Sequence, residues 1–423
     1  MLKKRIAVMQ FFQFFVWGSW MMTIGAWWFG TMKWSGAEFG AIFATMGLAS
    51  LFAPTIAGII ADRWMNAEKL YGILMLFGAA VLFYIPHAAN PSQMFWLMLL
   101  NMVFYMPTIG LSITISYATM EKAGMNIIKE YPPIRVLGTV GFIVAMWTVS
   151  LTHNETSANM FYIAGTAATF LGIFGLTMPA VPPLGQSKGG SLSETLGLQA
   201  FKMFKDSKMA LFFFFSMLLG AALQLTNAYG DLFIHGFADN PLFKNCFAVQ
   251  YPAIIMSISQ MSETLMILLI PFVLRKYGIK KVMLMSMFAW VLRFGLLGFG
   301  DPAGGLWMII LSCIIYGMAF DFFNISGSLY VETQADPTIR ASAQGLFMFM
   351  TNGIGAVLGS SISGWLISAH YSVRTATGGT TILWQGWDGI WVVFATYSLI
   401  VGLLFAVMFK HKHNPKDLEN FHH

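Results

Sequence analysis

Long runs of apolar residues, separated by short polar stretches, follow one another through almost the whole chain. Each run is long enough for a helix of about 20 residues, the length that crosses the hydrocarbon core of a bilayer. The runs cover residues 6–29, 37–60, 70–88, 93–118, 134–152, 158–181, 209–235, 252–274, 279–299, 305–330, 343–369 and 388–410. We therefore expect an all-α membrane protein with twelve transmembrane helices.

The composition excludes several other classes of protein. Of 423 residues, 57% are hydrophobic and only 10% are charged, whereas soluble domains carry about 25% charged residues. A soluble globule of this composition would not have enough polar groups to cover its surface. Cys246 and Cys313 provide neither a disulfide framework nor a metal-binding spacing. No motif for ATP hydrolysis, zinc binding or a catalytic nucleophile is present, so we expect no enzymatic activity, no cofactor and no metal.

The basic residues indicate the orientation of the helices. With a cytoplasmic N-terminus, nineteen of the 24 Lys and Arg residues fall in cytoplasmic segments, and only Lys33, Lys244 and Arg374 fall outside. Such a bias is typical of multi-pass membrane proteins. It also accounts for the net charge of +6 without a nucleic-acid partner. We expect both termini to be cytoplasmic and the protein to be a monomer in the lipid bilayer.

The two halves of the chain carry similar motifs at similar places. The second run ends with Gly-Ile-Ile-Ala-Asp62-Arg63, and the eighth ends with Arg275-Lys-Tyr-Gly-Ile-Lys-Lys. Ile134-Arg135 begins the fifth run, and Ile339-Arg340 begins the eleventh. This pattern predicts the major facilitator fold, in which two six-helix repeats bind substrate near the membrane midplane between them. The predicted parts are the halves 1–181 and 209–410, a cytoplasmic linker 182–208 and a cytoplasmic tail 411–423.

Polar side chains within the apolar runs are candidates for a binding site, because such groups are costly in lipid. They occur at spacings of three, four or seven residues, which place each set on one face of its helix. These sets are Arg135, Thr139 and Phe142; Gln224 and Asn227; Gln260 and Glu263; and Tyr316 and Phe320. We interpret them as the lining of one shared cavity. Asp321 is a further acidic residue within an apolar run.

Structural roles remain open for several of these residues. Buried amides also hold transmembrane helices together, Thr139 can bond to its own helix backbone, and phenylalanines often serve only packing. A stripe on the first run either lines the cavity or belongs to an interfacial aromatic belt; it consists of Gln10, Gln13, Trp17 and Trp20. Arg293 lies near the outer end of its run, and we expect its side chain to extend toward the headgroups.

The chemistry of the candidate residues favours a nucleoside as substrate. Amide, guanidinium and carboxylate groups form hydrogen bonds with hydroxyls and with the edges of heterocyclic rings. Aromatic rings stack on bases, at about 1–3 kcal/mol per base. A sugar would use the amides and rings but would have no base to stack. A carrier for another small polar substrate such as a sugar, and a membrane-embedded receptor or enzyme, remain alternatives.

Several longer stretches resemble one known family. Four of them are similar to signature stretches of the bacterial nucleoside:proton symporters. These are Tyr131-Pro-Pro-Ile-Arg-Val-Leu-Gly-Thr-Val-Gly-Phe142, Gln224-Leu-Thr-Asn227, Ser257-Ile-Ser-Gln-Met-Ser-Glu-Thr264 and Tyr316-Gly-Met-Ala-Phe-Asp-Phe-Phe-Asn-Ile-Ser-Gly-Ser328. The resemblance covers essentially the whole chain. It implies a major facilitator protein of the bacterial inner membrane that imports nucleosides with protons.

The resemblance also implies roles for individual residues. The positions that match the family's substrate site are Arg135, Thr139, Phe142, Gln224, Asn227, Gln260, Glu263, Tyr316 and Phe320. Asp321 matches the acidic position in the tenth span, and we expect Asp321 or Glu263 to carry the coupled proton. The preference for purine or pyrimidine nucleosides does not follow from these matches.

Overall fold

A computed structural model describes residues 2–34, 36–183, 198–336, 339–374, 380–382 and 386–411. In this part of the chain, eleven helices are long and apolar enough to cross a membrane. We number the helices by predicted span, as α1 (Leu2–Gly18), α2 (Gly36–Arg63), α3 (Ala67–Tyr84), α4 (Pro91–Lys122), α5 (Ile127–Leu151), α6 (Asn159–Leu176), α7 (Ser207–Gly236), α8 (Pro252–Tyr277), α9 (Ile279–Phe299), α10 (Leu306–Gln334), α11 (Arg340–His370) and α12 (Trp387–Met408).

The first predicted span, 6–29, is the one that is not a continuous helix. Helix α1 ends at Gly18, and the chain resumes in a short helix, Ile24–Ala26, and a π-helical segment, Trp27–Met32. Helix α1 has 17 residues, which is shorter than the roughly 20 residues of a complete span.

Two other helices depart from the regular α-helix predicted for them. Helix α11 contains a π-helical segment, Phe349–Gly355, between Arg340–Met348 and Ala356–His370. Helix α5 begins at Ile127 and includes Pro132 and Pro133, so it starts well before the predicted boundary at 134. Pro132 and Pro133 lie within the helix, after its first turn, and neither provides a backbone amide for the helical hydrogen bonds.

The helices form two compact units, residues 1–189 with 374–381, and residues 190–373 with 382–423. In the first unit, α1 packs against α5, α2 against α4, and α3 against α6. In the second unit, α7 packs against α11, α8 against α10, and α9 against α12. The same three pairings therefore recur in the same order in both units, as expected for a duplicated six-helix repeat.

Glycine allows one close helix pair in each unit. A Cβ atom on Gly141 of α5 would lie 2.0 Å from the carbonyl oxygen of Phe11 on α1. A Cβ atom on Gly220 of α7 would lie 2.1 Å from the carbonyl oxygen of Thr351 on α11. Only glycine permits backbones to approach so closely, which is a common way to pack helices in membranes.

The predicted linker and tail are only partly described. Residues 184–197 and 412–423 lie outside the described residues. The end of the linker is not simply exposed, because Leu198–Lys205 forms a 3₁₀ helix in which Ala200 is fully buried. Two short strands, Ser372–Arg374 and Thr380–Ile382, form a small sheet between α11 and α12, which is a minor addition to the all-α plan.

Candidate functional site

In the first unit, the three predicted site residues of α5 lie along α1. The guanidinium carbon of Arg135 is 4.2 Å from the centre of the Phe14 ring, a favourable cation–π distance. Phe142 is buried, and its ring meets Trp17 edge to face at 6.4 Å. Thr139 lies between them on the same face and is half-buried. Arg135 is thus within a membrane-spanning helix, and Phe14 supports it from the neighbouring helix.

The glutamines of α1 have a different role from either predicted one. Gln10 and Gln13 are fully buried. The Gln13 amide donates to Thr108 Oγ1 at 2.9 Å, and the Tyr71 hydroxyl donates to Gln13 Oε1 at 2.7 Å. The Gln10 amide donates to Ser116 at 3.3 Å. These bonds connect α1 to α3 and α4, so the two glutamines hold helices together and are neither cavity lining nor an interfacial belt.

In the second unit, α8 and α10 bring four of the predicted residues together. The rings of Tyr316 and Phe320 are stacked, with centroids 5.9 Å apart and planes at 10°. The side chains of Gln260 and Glu263 on α8 lie near the Tyr316 hydroxyl. Gln260 and Glu263 are half-buried. Two aromatic rings therefore stand next to an amide and a carboxylate, the combination that suits a heterocyclic base joined to a sugar.

Phe320 also borders a small cleft within the second unit, with a cavity volume of about 20 Å³. Residues of α7, α9, α10 and the π-helical segment of α11 line the cleft: Leu219, Gly220, Leu223, Trp290, Ala319, Phe320, Phe323, Asn324, Thr351 and Asn352. A cavity of this size has room for about one water molecule.

Gln224 and Asn227 lie on α7, and their side chains are 7% and 6% exposed. Within the part of the chain that the structure describes, the carbonyl oxygens of both amides have no hydrogen-bond donor. Buried polar atoms are normally paired. A donor from a ligand would satisfy them.

Asp321 is buried on α10, next to Phe320 but turned about 100° around the helix. Its Oδ2 atom has no hydrogen-bond partner among the described residues, and Glu263 is close enough to interact electrostatically. Two carboxyl groups near each other in an apolar environment disfavour double ionisation. The pair is therefore suited to binding a proton.

Arg293 was expected to extend toward the headgroups, and this expectation is wrong. The side chain is fully buried on α9. Its Nη1 donates to the carbonyl of Ser312 at 2.6 Å, and the guanidinium carbon lies 4.6 Å from the centre of the Tyr316 ring. A carbonyl acceptor and an aromatic face inside the unit satisfy the cation, so it does not need to reach the membrane surface.

Comparison with known proteins identifies the family. Residues 1–414 match the family model described as "Nucleoside H+ symporter". The chain is 48% identical to the xanthosine permease of Escherichia coli K12 over 417 residues, with 98% of each chain covered. It is 47% identical to the nucleoside permease NupG of the same organism over 413 residues, with 97% of each covered. The chain belongs to the nucleoside H+ symporter family.

The fold agrees with this membership. A crystal structure of a mutant of the nucleoside transporter NupG superposes with a TM-score of 0.92 at 46% identity, covering 97% of this chain and 100% of that one. The major facilitator fold predicted from the internal repeat is confirmed, and this symporter is a multi-pass membrane protein and not an enzyme.

The sequence predicted the residues of α8 and α10 that lie close together. It did not predict the roles of two buried residues that connect several helices of this symporter. The first is Gln13, whose hydrogen bonds join three helices. The second is Arg293, an ionisable residue within an apolar run that we expected to extend to the membrane surface. The residues that contact Arg293 lie on other helices, and nothing in the sequence around position 293 indicates them.

Proposed function

We propose that this chain imports nucleosides together with protons across the cytoplasmic membrane of a bacterium, with both termini in the cytoplasm. The observation that carries the proposal is the similarity over nearly the full length, at 47% and 48% identity, to two permeases named for nucleosides. The excess of Lys and Arg in the segments assigned to the cytoplasm supports the orientation.

The predicted site residues bind the nucleoside in this proposal. Gln260 and Glu263 bind ribose hydroxyls, because an amide and a carboxylate one turn apart can share two vicinal hydroxyls. Phe142 and Phe320 provide ring faces for the base. The unpaired amide oxygens of Gln224 and Asn227 accept from donors on the ligand, and Arg135 and Thr139 donate to its acceptors. Tyr316 places its ring beside that of Phe320.

Asp321, with Glu263 as its neighbour, takes up the coupled proton. Protonation removes a buried negative charge, so the carrier can change conformation at lower cost in the apolar membrane. Coupling requires that the proton bind with different affinity in the two conformations. The buried Oδ2 atom of Asp321 without a partner supports Asp321 over a permanently paired carboxylate.

Uptake measurements test the proposal. Cells that lack their own nucleoside carriers should accumulate labelled uridine or labelled xanthosine when they express this chain, and a protonophore should abolish accumulation. Cells with an empty vector are the control. Unlabelled nucleosides should compete and unlabelled sugars should not. Competition by sugars alone would favour a sugar carrier, and accumulation that survives the protonophore would exclude proton symport.

Arg135→Ala tests the site in the first unit. The variant should lose nucleoside binding in detergent while remaining folded, because no other residue of its stripe replaces the guanidinium donors. Normal binding by the variant would remove Arg135 from the site.

A further inference from the structure

Arg293 belongs to α9, a helix that carries none of the predicted site residues, yet it contacts the three helices that carry them in the second unit. Its Nε lies 3.4 Å from Thr226 Oγ1 on α7, and its Nη1 and Nη2 lie 3.5 Å from Ser259 Oγ on α8. On α10 it bonds to Ser312 and lies over Tyr316. One fully buried side chain thus connects α7, α8 and α10.

The contacted residues are neighbours of the site residues in sequence. Thr226 precedes Asn227, and Ser259 precedes Gln260. Successive residues of a helix point about 100° apart. Arg293 therefore contacts α7 and α8 on the side adjacent to the face that carries Asn227 or Gln260. Tyr316 is the exception, because it is itself a predicted site residue and Arg293 lies over its ring.

The charge of Arg293 is held without a carboxylate. Among the residues that the structure describes, no carboxylate oxygen lies within 4.0 Å of its nitrogens. The short bond to the Ser312 carbonyl and the face of Tyr316 are its main interactions, and the Ser312 hydroxyl donates back to the Arg293 carbonyl at 3.0 Å. Burying a cation costs free energy. A neutral side chain of similar size could fill the same space without that cost.

The Tyr316 ring is fixed on several sides. Trp290 meets it edge to face at 6.0 Å, Phe320 stacks on it, and the Arg293 guanidinium lies over it. Arg293 is also bonded to the backbone of α10, the helix that carries Tyr316. The guanidinium therefore fixes the ring relative to its own helix.

From this geometry we propose that Arg293 is a positioning residue for nucleoside binding: it holds the ring of Tyr316 in place beside Phe320. The inference rests on the proposed function. Arg293 does not touch the substrate in this arrangement and acts through the ring of Tyr316.

Arg293→Lys is the main test, because lysine keeps the charge but loses the planar fork that reaches both Ser312 and the ring. We expect roughly tenfold weaker binding of uridine, which corresponds to the loss of one buried cation–π contact. The apparent KM of uptake in cells should rise by the same factor, and this value does not depend on how much protein folds. Arg293→Gln should give a similar rise.

Ser286→Ala is the matched control. Ser286 is a buried residue of the same helix and donates to the carbonyl of Ala319 on α10, so its loss also removes a polar contact between α9 and α10. We expect a lower melting temperature with unchanged uridine affinity. If both variants lose affinity in proportion to stability, the role of Arg293 is only structural.

A double-mutant cycle separates action through Tyr316 from independent action. In a Tyr316→Leu background, Arg293→Lys should change uridine affinity by less than about twofold, since the aromatic face that the guanidinium holds is already absent. The proposal would be overturned if the losses of uridine affinity from the two substitutions simply added. It would also be overturned if Arg293→Lys bound uridine as tightly as the wild-type protein does. Failure of the wild-type protein to bind any nucleoside would instead contradict the proposed function.

Discussion

The guanidinium of Arg135 on α5 lies over the ring of Phe14 on α1, 4.2 Å from its centroid. This contact joins a predicted substrate residue to a neighbouring helix through a phenylalanine that the sequence did not single out. Arg135 is half-buried, so the ring covers part of the cation and limits the orientations it can adopt. Cation–π contacts of this kind contribute about 0.5–2 kcal/mol.

Phe14→Leu should therefore weaken nucleoside binding about tenfold without unfolding the protein, because leucine keeps apolar volume but provides no π-face. Titration calorimetry on purified protein measures the change. Phe15→Leu is the control, since Phe15 is the next residue of α1 and its ring contacts are with Phe11 and Phe12. Equal losses in both variants would mean that the packing of α1, and not the support of Arg135, matters.

Glu263→Gln should affect ribosides more than 2′-deoxyribosides. The charged carboxylate forms stronger hydrogen bonds to hydroxyls than a neutral amide does, and the loss of such a bond costs about 1.5–3 kcal/mol. We expect uridine affinity to fall by about tenfold or more and that of 2′-deoxyuridine to fall less. Competition binding with both ligands checks this. An equal fall for both would assign Glu263 to proton coupling or to structure.

Asp321→Asn should abolish accumulation while nucleoside binding remains. Asparagine resembles a protonated aspartate in shape and charge but cannot release a proton. The ratio of internal to external nucleoside should fall to about one, with exchange of bound for free nucleoside still measurable. Uptake into proteoliposomes with an imposed pH gradient provides the measurement. Accumulation by this variant would transfer the coupling role to Glu263, and loss of folded protein would indicate a structural pair.

Gly317→Ala should destabilise the second unit by about 1–3 kcal/mol, as overpacking generally does. A Cβ atom there would lie 2.6 Å from the carbonyl oxygen of Ser262 and 2.8 Å from the amide nitrogen of Glu263. The variant should melt at a lower temperature and bind nucleoside less tightly, because α8 and α10 must separate. Gly295→Ala is the control, since nothing lies within 4 Å of its Cβ position. Similar melting temperatures for both variants would contradict the close crossing.

The sequence by itself determined the membrane helices of this protein, their repeat and most of the candidate site. Apolar length is a property of each segment alone, because the bilayer is the surrounding solvent. The spacing of Arg135, Thr139 and Phe142, or of Gln260 and Glu263, follows from the helical period and needs no knowledge of neighbours. Family resemblance in the same stretches then assigned them to nucleoside binding, which remains to be measured residue by residue.

Tertiary structure alone decided where buried polar groups find their partners. Arg293 remains inside the unit because α10 supplies a hydrogen-bond acceptor, the Ser312 carbonyl, and an aromatic ring, that of Tyr316. The sequence of α9 gives no indication of either partner. Gln13 likewise depends on residues of α3 and α4. Hydrogen bonds between distant segments form only when packing brings donor and acceptor within about 3 Å, and that distance is set by the packed helices together.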